Sequence, residues 1–246
     1  MKIVIVIPSR MASERLPNKP MVMIHKKTMI QRVWEQAKIS NIGDVIVACG
    51  DEIIQKHITS IGGRAVMTDP KLPSGTDRVY AALENMMTNE NYELVINLQG
   101  DMPLINSDDI KKIILPIQQG FQIGTLVTNF ENKKDYFDYN ITKVSVEWIK
   151  KYYIGKAIDF NKDYNYFNSN NVFHHVGIYS FKIETLKKFV SLPISSNEKL
   201  RKLEQMRALD SNMTIGLGYV NNVPISIDTE NDLIKIRNKI SKTKYE

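Results

Sequence analysis

The side chains best suited to chemistry fall in short segments that each follow an apolar run. The first, Pro8–Pro20 (PSRMASERLPNKP), gathers Arg10, Arg15 and Lys19 among small residues and prolines. Cations and exposed backbone N–H groups in one loop are what a triphosphate requires; a solvated basic loop would have the same composition. The loop is neither a GxxxxGK[ST] phosphate loop nor a GxGxxG dinucleotide turn. In the second, Pro73–Arg78 (PSGTDR), Gly75 permits close approach of backbone to a ligand, and Thr76 or Asp77 can cap a following helix. A well-capped helix is the plain alternative. The third, Asn97–Pro103 (NLQGDMP), places Asp101 behind Gly100 at the end of an apolar strand, and Asp228 closes Pro224–Asp228 (PISID) in the same manner. Magnesium takes one or two protein carboxylates and completes its sphere with water and substrate phosphates. Asp101 and Asp228 beside a cationic loop are therefore candidate Mg²⁺ ligands, although either alone would read first as a helix cap or turn former.

The remaining titratable residues say less. His25 and His57 lie in polar stretches and are expected to be solvated. His174 and His175 open a strand, where alternation sends them to opposite faces, so at most one enters a cleft. Glu204 and Gln205 belong to an expected helix whose Leu200, Leu203, Met206 and Leu209 make its apolar side, which leaves both at the surface. The single cysteine, Cys49, excludes an intrachain disulfide and a cysteine-based zinc site, and fits a reducing, cytoplasmic compartment.

These segments need elements to position them. Lys2–Pro8 reads as a strand covered on both faces of a parallel sheet. It is too short for a signal peptide, and no run approaches the ~20 apolar residues of a membrane span. Thr28 caps a helix through Ala37. Strands follow at Asp44–Cys49, Arg64–Thr68, Glu93–Gln99 and Ile123–Asn129. Helices at Asp51–Ile61 (closed by Gly62 and Gly63), at Asp77–Met87 and, capped by Ser107, through about Gln118 alternate with them. That rhythm predicts a doubly wound α/β sheet. From Phe130 it changes: paired strands at Thr142–Trp148 and Tyr152–Ile158, an asparagine-rich loop, and a strand at His174–Lys182. Helices at Ile183–Val190 and Glu198–Asp210, strands at Met213–Val220 and Pro224–Ile227, and a helix at Thr229–Lys239 complete the chain. With 246 residues, 43% of them apolar, this is one large domain whose second half supplies an arm and a cleft wall. The net charge of +6 is spread among 27 acidic residues, which suits small anionic substrates and gives no nucleic-acid-binding face.

Read in order, the motifs resemble the CMP-Kdo synthetases (3-deoxy-manno-octulosonate cytidylyltransferases). They are IPSRMASERLPNKP (Ile7–Pro20), IQRVWEQA (Ile30–Ala37), SGTDRVY (Ser74–Tyr80) and INLQGDMPLI (Ile96–Ile105), then HVGIYSF (His175–Phe181), LEQMRAL (Leu203–Leu209) and IDTENDL (Ile227–Leu233). The resemblance implies a Rossmann-like mixed sheet with an extended arm, of the nucleotide-diphospho-sugar transferase type. It implies a single nucleotidyltransferase domain, with 1–129 the nucleotide-binding half and 130–246 the sugar-binding and dimerisation half. It further implies CTP at Arg10, Met11, Arg15, Lys19, Ser74, Gly75 and Arg78; Mg²⁺ on Asp101 and Asp228, with Lys19 catalytic beside them; and an acidic sugar at Gln99, Lys156, His175, Tyr179, Glu204 and Gln205. The implied reaction joins CMP to Kdo with release of pyrophosphate, in a cytoplasmic homodimer that serves lipopolysaccharide biosynthesis. A different acidic sugar (8-amino-Kdo or a sialic-acid-like acid) or a non-catalytic nucleotide-binding protein is the alternative. The chain departs from the family at Asn18, where LPGKP is usual. It departs again at Cys49–Glu52 (CGDE), in place of Thr-Asp-Asp-Glu, and at Lys156, in place of the arginine of a YFSR segment. That last exchange turns a planar two-pronged carboxylate contact into a point charge.

Overall fold

The apolar run at the start of the chain forms strand β1 (Ile3–Ser9), with every residue after Ile3 buried. The computed structural model describes residues 1–13, 15–86, 90–168 and 170–243, with backbone alone at 242 and 243. Glu14 of the basic loop, the expected helix end at Met87, Ser169 of the asparagine-rich loop and the last three residues of the chain lie outside the described residues. The elements after β1 are β2 (Met23–Ile24), β3 (Lys27–Thr28), α1 (Met29–Ser40), β4 (Asp44–Cys49), α2 (Glu52–Ser60), β5 (Arg64–Met67), α3 (Gly75–Glu84), β6 (Leu94–Asn97) and α4 (Ser107–Lys112). Next come α5 (Leu115–Gln118), β7 (Ile123–Thr128), β8 (Lys143–Lys150), β9 (Ile154–Asn161) and β10 (Val172–Lys182). Then α6 (Ile183–Ser191), α7 (Ser196–Arg201), α8 (Met206–Asp210), β11 (Ile215–Tyr219) and α9 (Glu230–Thr243) complete the chain. The architecture is mixed α/β, as the strand–helix alternation predicts.

Two compact units interleave along the chain. The first comprises Lys2–Tyr92, Asn97–Ile110 and the chain from Pro224; the second comprises Met1, Glu93–Ile96 and Lys111–Val223. In the first unit β5, β4 and β1 are successive parallel neighbours, and Leu98 extends the chain past β6 by donating its N–H to Val6 O at 3.1 Å. Helix α1 starts where the sequence says it should: Thr28 Oγ1 accepts the Gln31 N–H at 3.2 Å. Ser74, not Thr76 or Asp77, caps α3, taking the Asp77 N–H at 3.1 Å. In the second unit β10 and β7 are antiparallel, β11 is parallel to β7, and β9 is antiparallel to both β11 and β8. Pairing of β8 back onto β10 closes these five strands into a ring.

Four expectations fail for local reasons. The helix expected from Ser107 breaks into α4 and α5, with Pro116 entering the first turn of the second, and Asn106 rather than Ser107 supplies the cap, its Oδ1 accepting the Asp108 N–H at 2.8 Å. The helix expected over Glu198–Asp210 breaks at Lys202, which adopts φ 53°. That turn leaves Leu200 80% exposed and buries Gln205 instead. Pro224–Ile227 is not a strand; it is an irregular segment pinned by one backbone bond, Ile227 N–H to Asp101 O at 2.9 Å. His57 is half-buried and engaged, its Nε2 lying 2.8 Å from the Thr28 cap hydroxyl, and so is not simply solvated.

Candidate active site

The polar cleft of the first unit has a volume of about 840 Å³ and is lined by the basic loop, the start of α3, Gln99–Asp101 and Asp228. At its centre the Lys19 ammonium donates to Asp101 Oδ2 at 2.9 Å and to Asp228 Oδ1 at 2.8 Å, and Arg15 Nη2 approaches the same Asp228 oxygen at 3.1 Å. Burial alone would lower the Lys19 pKa, but the charge of Asp101 and the hydrogen bond to Asp228 outweigh it and hold the ammonium above its ordinary value.

Packing explains this convergence. Leu16, between Arg15 and Lys19, shares one apolar cluster with Ile227, which precedes Asp228, and with Leu233, Ile236 and Ile240 of α9. Burial of such side chains contributes about 1.5–3 kcal/mol each. The Ile227–Asp101 backbone bond brings the two aspartate-bearing segments side by side. Thr229 and Asp232 then cap α9 reciprocally, Thr229 Oγ1 donating to Asp232 Oδ2 at 2.8 Å and accepting the Asp232 N–H at 3.3 Å. Asn18 takes φ 55°, a left-handed conformation that asparagine shares with glycine, so the departure from LPGKP preserves the turn that delivers Lys19.

The other nucleotide-side candidates are distributed as follows. Arg10 is exposed at the cleft. A Cβ on Gly50 would come within 2.9 Å of Arg78 Nη1 and 3.2 Å of Arg10 Cβ, so glycine there makes room for the Arg78 guanidinium and the base of the Arg10 side chain. Arg78 itself is buried and engaged: Nη1 donates to Thr68 Oγ1 at 2.6 Å and Asp69 O at 3.1 Å, and Nη2 to Pro70 O at 3.3 Å. Burial first, and then the charge of Arg10, lower its pKa. Its direct work is to shape the 68–74 loop. Met11 gives its N–H to Asp51 Oδ2 at 2.7 Å, so the third residue of the CGDE segment, an aspartate as in Thr-Asp-Asp-Glu, anchors the basic loop. Gly75 and Gln99 are close neighbours, a Cβ on Gly75 falling 3.4 Å from Gln99 Oε1. Gln99 Nε2 donates to Asn97 Oδ1 at 2.7 Å, and Asn97, fully buried, donates to Thr76 Oγ1 at 3.1 Å.

In the second unit His175 lies beside Tyr179, the charge of Glu204 reaches Tyr179, and Gln205 is buried. The His175 ring lies 5.1 Å from Phe160 and 5.6 Å from Tyr179. Burial, and then the neighbouring His174, push the His175 pKa down to about 3. Burial and the charge of Glu204 push Tyr179 up. His174 packs with a different ring, Phe130 at 6.1 Å, as expected for opposite faces. Lys156 stands exposed on β9, opposite Glu147 of β8 and Gly216 of β11. Sequence reasoning passed over Leu16, Asp51, Asn97, Thr125 and Ile227, which touch or orient these groups; only the apolar character of Leu16 and Ile227 offered any signal.

Residues 4–215 match the sequence profile of the cytidylyltransferases. The chain belongs to that family. Among cytidylyltransferase relatives, it is 38% identical over 234 residues to the 3-deoxy-manno-octulosonate cytidylyltransferase of Rhodospirillum centenum, covering 95% of this chain and 91% of the relative. The enzyme of the same name from Rickettsia typhi is 40% identical over 234 residues, 95% of each chain. A solved structure of CMP:2-keto-3-deoxy-manno-octonic acid synthetase complexed with CTP superimposes with a TM-score of 0.88 at 30% identity, covering 98% of this chain and 99% of the other.

A divalent cation is consistent with the first-unit geometry. Asp101 and Asp228 already share one cationic nitrogen, so they are close enough to share an ion. Two carboxylates are what magnesium uses when phosphates and water complete its sphere. Groups of three or more His, Cys, Asp or Glu able to hold a metal do not occur among the described residues.

Proposed function

We propose that this cytidylyltransferase transfers the cytidylyl group of CTP to 3-deoxy-manno-octulosonate, giving the CMP-sugar and pyrophosphate for lipopolysaccharide biosynthesis. The observation that carries the reading is the Asp101–Lys19–Asp228 bridge in a cleft flanked by Arg10 and Arg15. The names of the relatives and the CTP complex of the structural neighbour support the substrates.

Both substrates are anionic, so their encounter is repulsive until cations neutralise it. Arg10, Arg15 and Lys19 place three positive charges in one loop, where they bind the triphosphate and offset charge growing on the departing pyrophosphate. One preorganised charge of this kind is worth on the order of 3 kcal/mol. Asp101 and Asp228 would hold Mg²⁺, which when bound supplies phosphate neutralisation and Lewis-acid activation of the attacking hydroxyl. Lys19, in contact with both carboxylates, keeps them from repelling one another before substrate arrives. Met11, Ser74, Gly75 and Arg78 are assigned to the nucleotide side. Gln99, Lys156, His175, Tyr179, Glu204 and Gln205 are assigned to the sugar acid on the family resemblance. The assembly is a cytoplasmic homodimer formed through the second half of the chain. No helix of the described residues is long and apolar enough to cross a membrane.

Pyrophosphate release, measured with a panel of sugar acids and all four nucleoside triphosphates with and without Mg²⁺, tests the reading. Turnover that requires CTP, 3-deoxy-manno-octulosonate and the metal is expected; turnover with another pairing, or with none, overturns it. Light scattering on the eluting protein checks the dimer.

A further inference from the structure

Strand β10 leaves register with β7 beside His175. His175 pairs Val127 and Val176 pairs Leu126, but pairing resumes only at Tyr179 opposite Thr125, so Gly177 and Ile178 bulge out. The Thr125 hydroxyl fills this bulge. Fully buried, it lies 2.7 Å from Ile178 O, 3.1 Å from Val176 O and 2.9 Å from His175 Nε2.

A hydroxyl has one proton, and a carbonyl oxygen can only accept. Two oxygens 2.7 Å apart require a proton between them, so the Thr125 proton points at the bulge carbonyls. What remains for the imidazole is a lone pair. Nε2 must therefore carry its own hydrogen and donate it, which leaves Nδ1 bare. Among the described residues the hydrogen bond of the His175 ring runs through Nε2, which leaves Nδ1 for a ligand.

We propose that Thr125 is a positioning residue that locks His175 in the Nε2–H tautomer, so that Nδ1 accepts a hydrogen bond from a hydroxyl of the sugar acid and cannot bind its carboxylate. This rests on the assignment of His175 to the sugar side. Burial works in the same direction, because it keeps the ring neutral and so denies the carboxylate a cation at this position. The acid group of the substrate must then be held by a different, positively charged residue. His175 contributes selection for a hydroxylated ligand.

Two measurements test the idea. In the full-length protein labelled with ¹⁵N at its histidine rings, nitrogen shifts distinguish protonated from bare ring nitrogens. His175 is expected to show Nε2–H in the wild type and in Thr125→Ser, and a mixture of tautomers in Thr125→Val. In steady-state kinetics Thr125→Val should raise KM for the sugar acid about tenfold, the weight of one hydrogen bond, and leave KM for CTP within about twofold. Thr125→Ser should restore the wild-type value. An Nδ1–H tautomer in the wild type overturns the proposal without any variant having to fold. So does an unchanged sugar KM in a folded Thr125→Val protein. Failure of the proposed reaction would look different: no pyrophosphate release with any sugar acid, whatever the tautomer.

Discussion

Lys19 and His175 are both shielded from bulk water, yet the first keeps its charge and the second is kept from acquiring one. The difference lies in what surrounds each. Around Lys19 the penalty of burial is overcome by two carboxylates within hydrogen-bond distance. Around His175 the neighbours are a hydroxyl, two aromatic rings and a second imidazole, and no counter-ion offsets burial, so the pKa falls to about 3. One unit thus offers fixed charges, which suit a triphosphate. The other offers a neutral imidazole held by a hydroxyl, which suits a hydroxyl group as ligand. Fold resemblance alone would not separate these roles; the partner of each titratable group does.

The sharpest way to break this contrast is to remove charge from the first unit. Asp101→Asn should lower kcat for pyrophosphate release by at least ~10²-fold, since a charge that organises metal and phosphate contributes several kcal/mol. Stability to urea should change little, because Asp101 is partly exposed. If turnover survives, the carboxylate pair is not the catalytic centre. The next test concerns what brings the charges together. Ile227→Ala opens the cluster shared with Leu16 and should cost about 3 kcal/mol of stability by chemical denaturation. It should also lower kcat at temperatures where the protein stays folded, because Ile227 adjoins Asp228. Leu233→Ala, in the same cluster but farther along α9, should cost similar stability and leave kcat nearer normal. Equal kinetic effects from both would show that the cluster does not position Asp228. A third test leaves both sites intact. Arg207 and Glu198, both largely buried, form a two-pronged pair at 2.8 and 2.6 Å between α7 and α8. Arg207→Met should destabilise by about 3 kcal/mol, by stranding a carboxylate, without changing KM for CTP.

How much of this was readable in advance follows the range of the interactions. Thr28 and the strand Asp44–Cys49 were legible because caps and apolar runs are local signals. Arg10, Arg15, Lys19 and Asp101 were legible as candidates because ligand groups in open α/β sheets collect beyond strand ends. Their convergence was not. It depends on Leu16 meeting Ile227 and on one backbone bond from Ile227 to Asp101, and no periodicity reports either. Gln205 was assigned to the surface because its helix was read as continuous. A left-handed lysine at 202 breaks it, and nothing in that residue type advertises such a turn. The bulge at Gly177 and Ile178 is equally silent: HVGIYSF reads as an unbroken strand, and only pairing with Thr125 reveals the two residues out of register.

The smallest effect expected is also the one that isolates burial from charge. His174, like His175, has its pKa lowered, to about 4. Burial is the main cause; Lys143 acts with it, and Asp135 and Asp138 act against it. Between the unfolded value near 6.5 and these folded values, the unfolded chain takes up protons that the folded chain refuses. Stability is therefore present in full above about pH 6.5 and is lost as pH falls. Each histidine contributes at most about 1.4 kcal/mol per pH unit in that window. The window lies above the range in which Asp210 and Asp232, whose pKa values are lowered by their hydrogen bonds against the pull of burial, begin to matter. Thermal melts between pH 6.5 and 5 should show the decline. His174→Phe should roughly halve its slope: the ring already packs with Phe130, its Nδ1 is buried without a partner, and phenylalanine cannot titrate. A slope unchanged by His174→Phe would mean that the histidines are not the groups being desolvated, and the contrast with Lys19 would then need another cause.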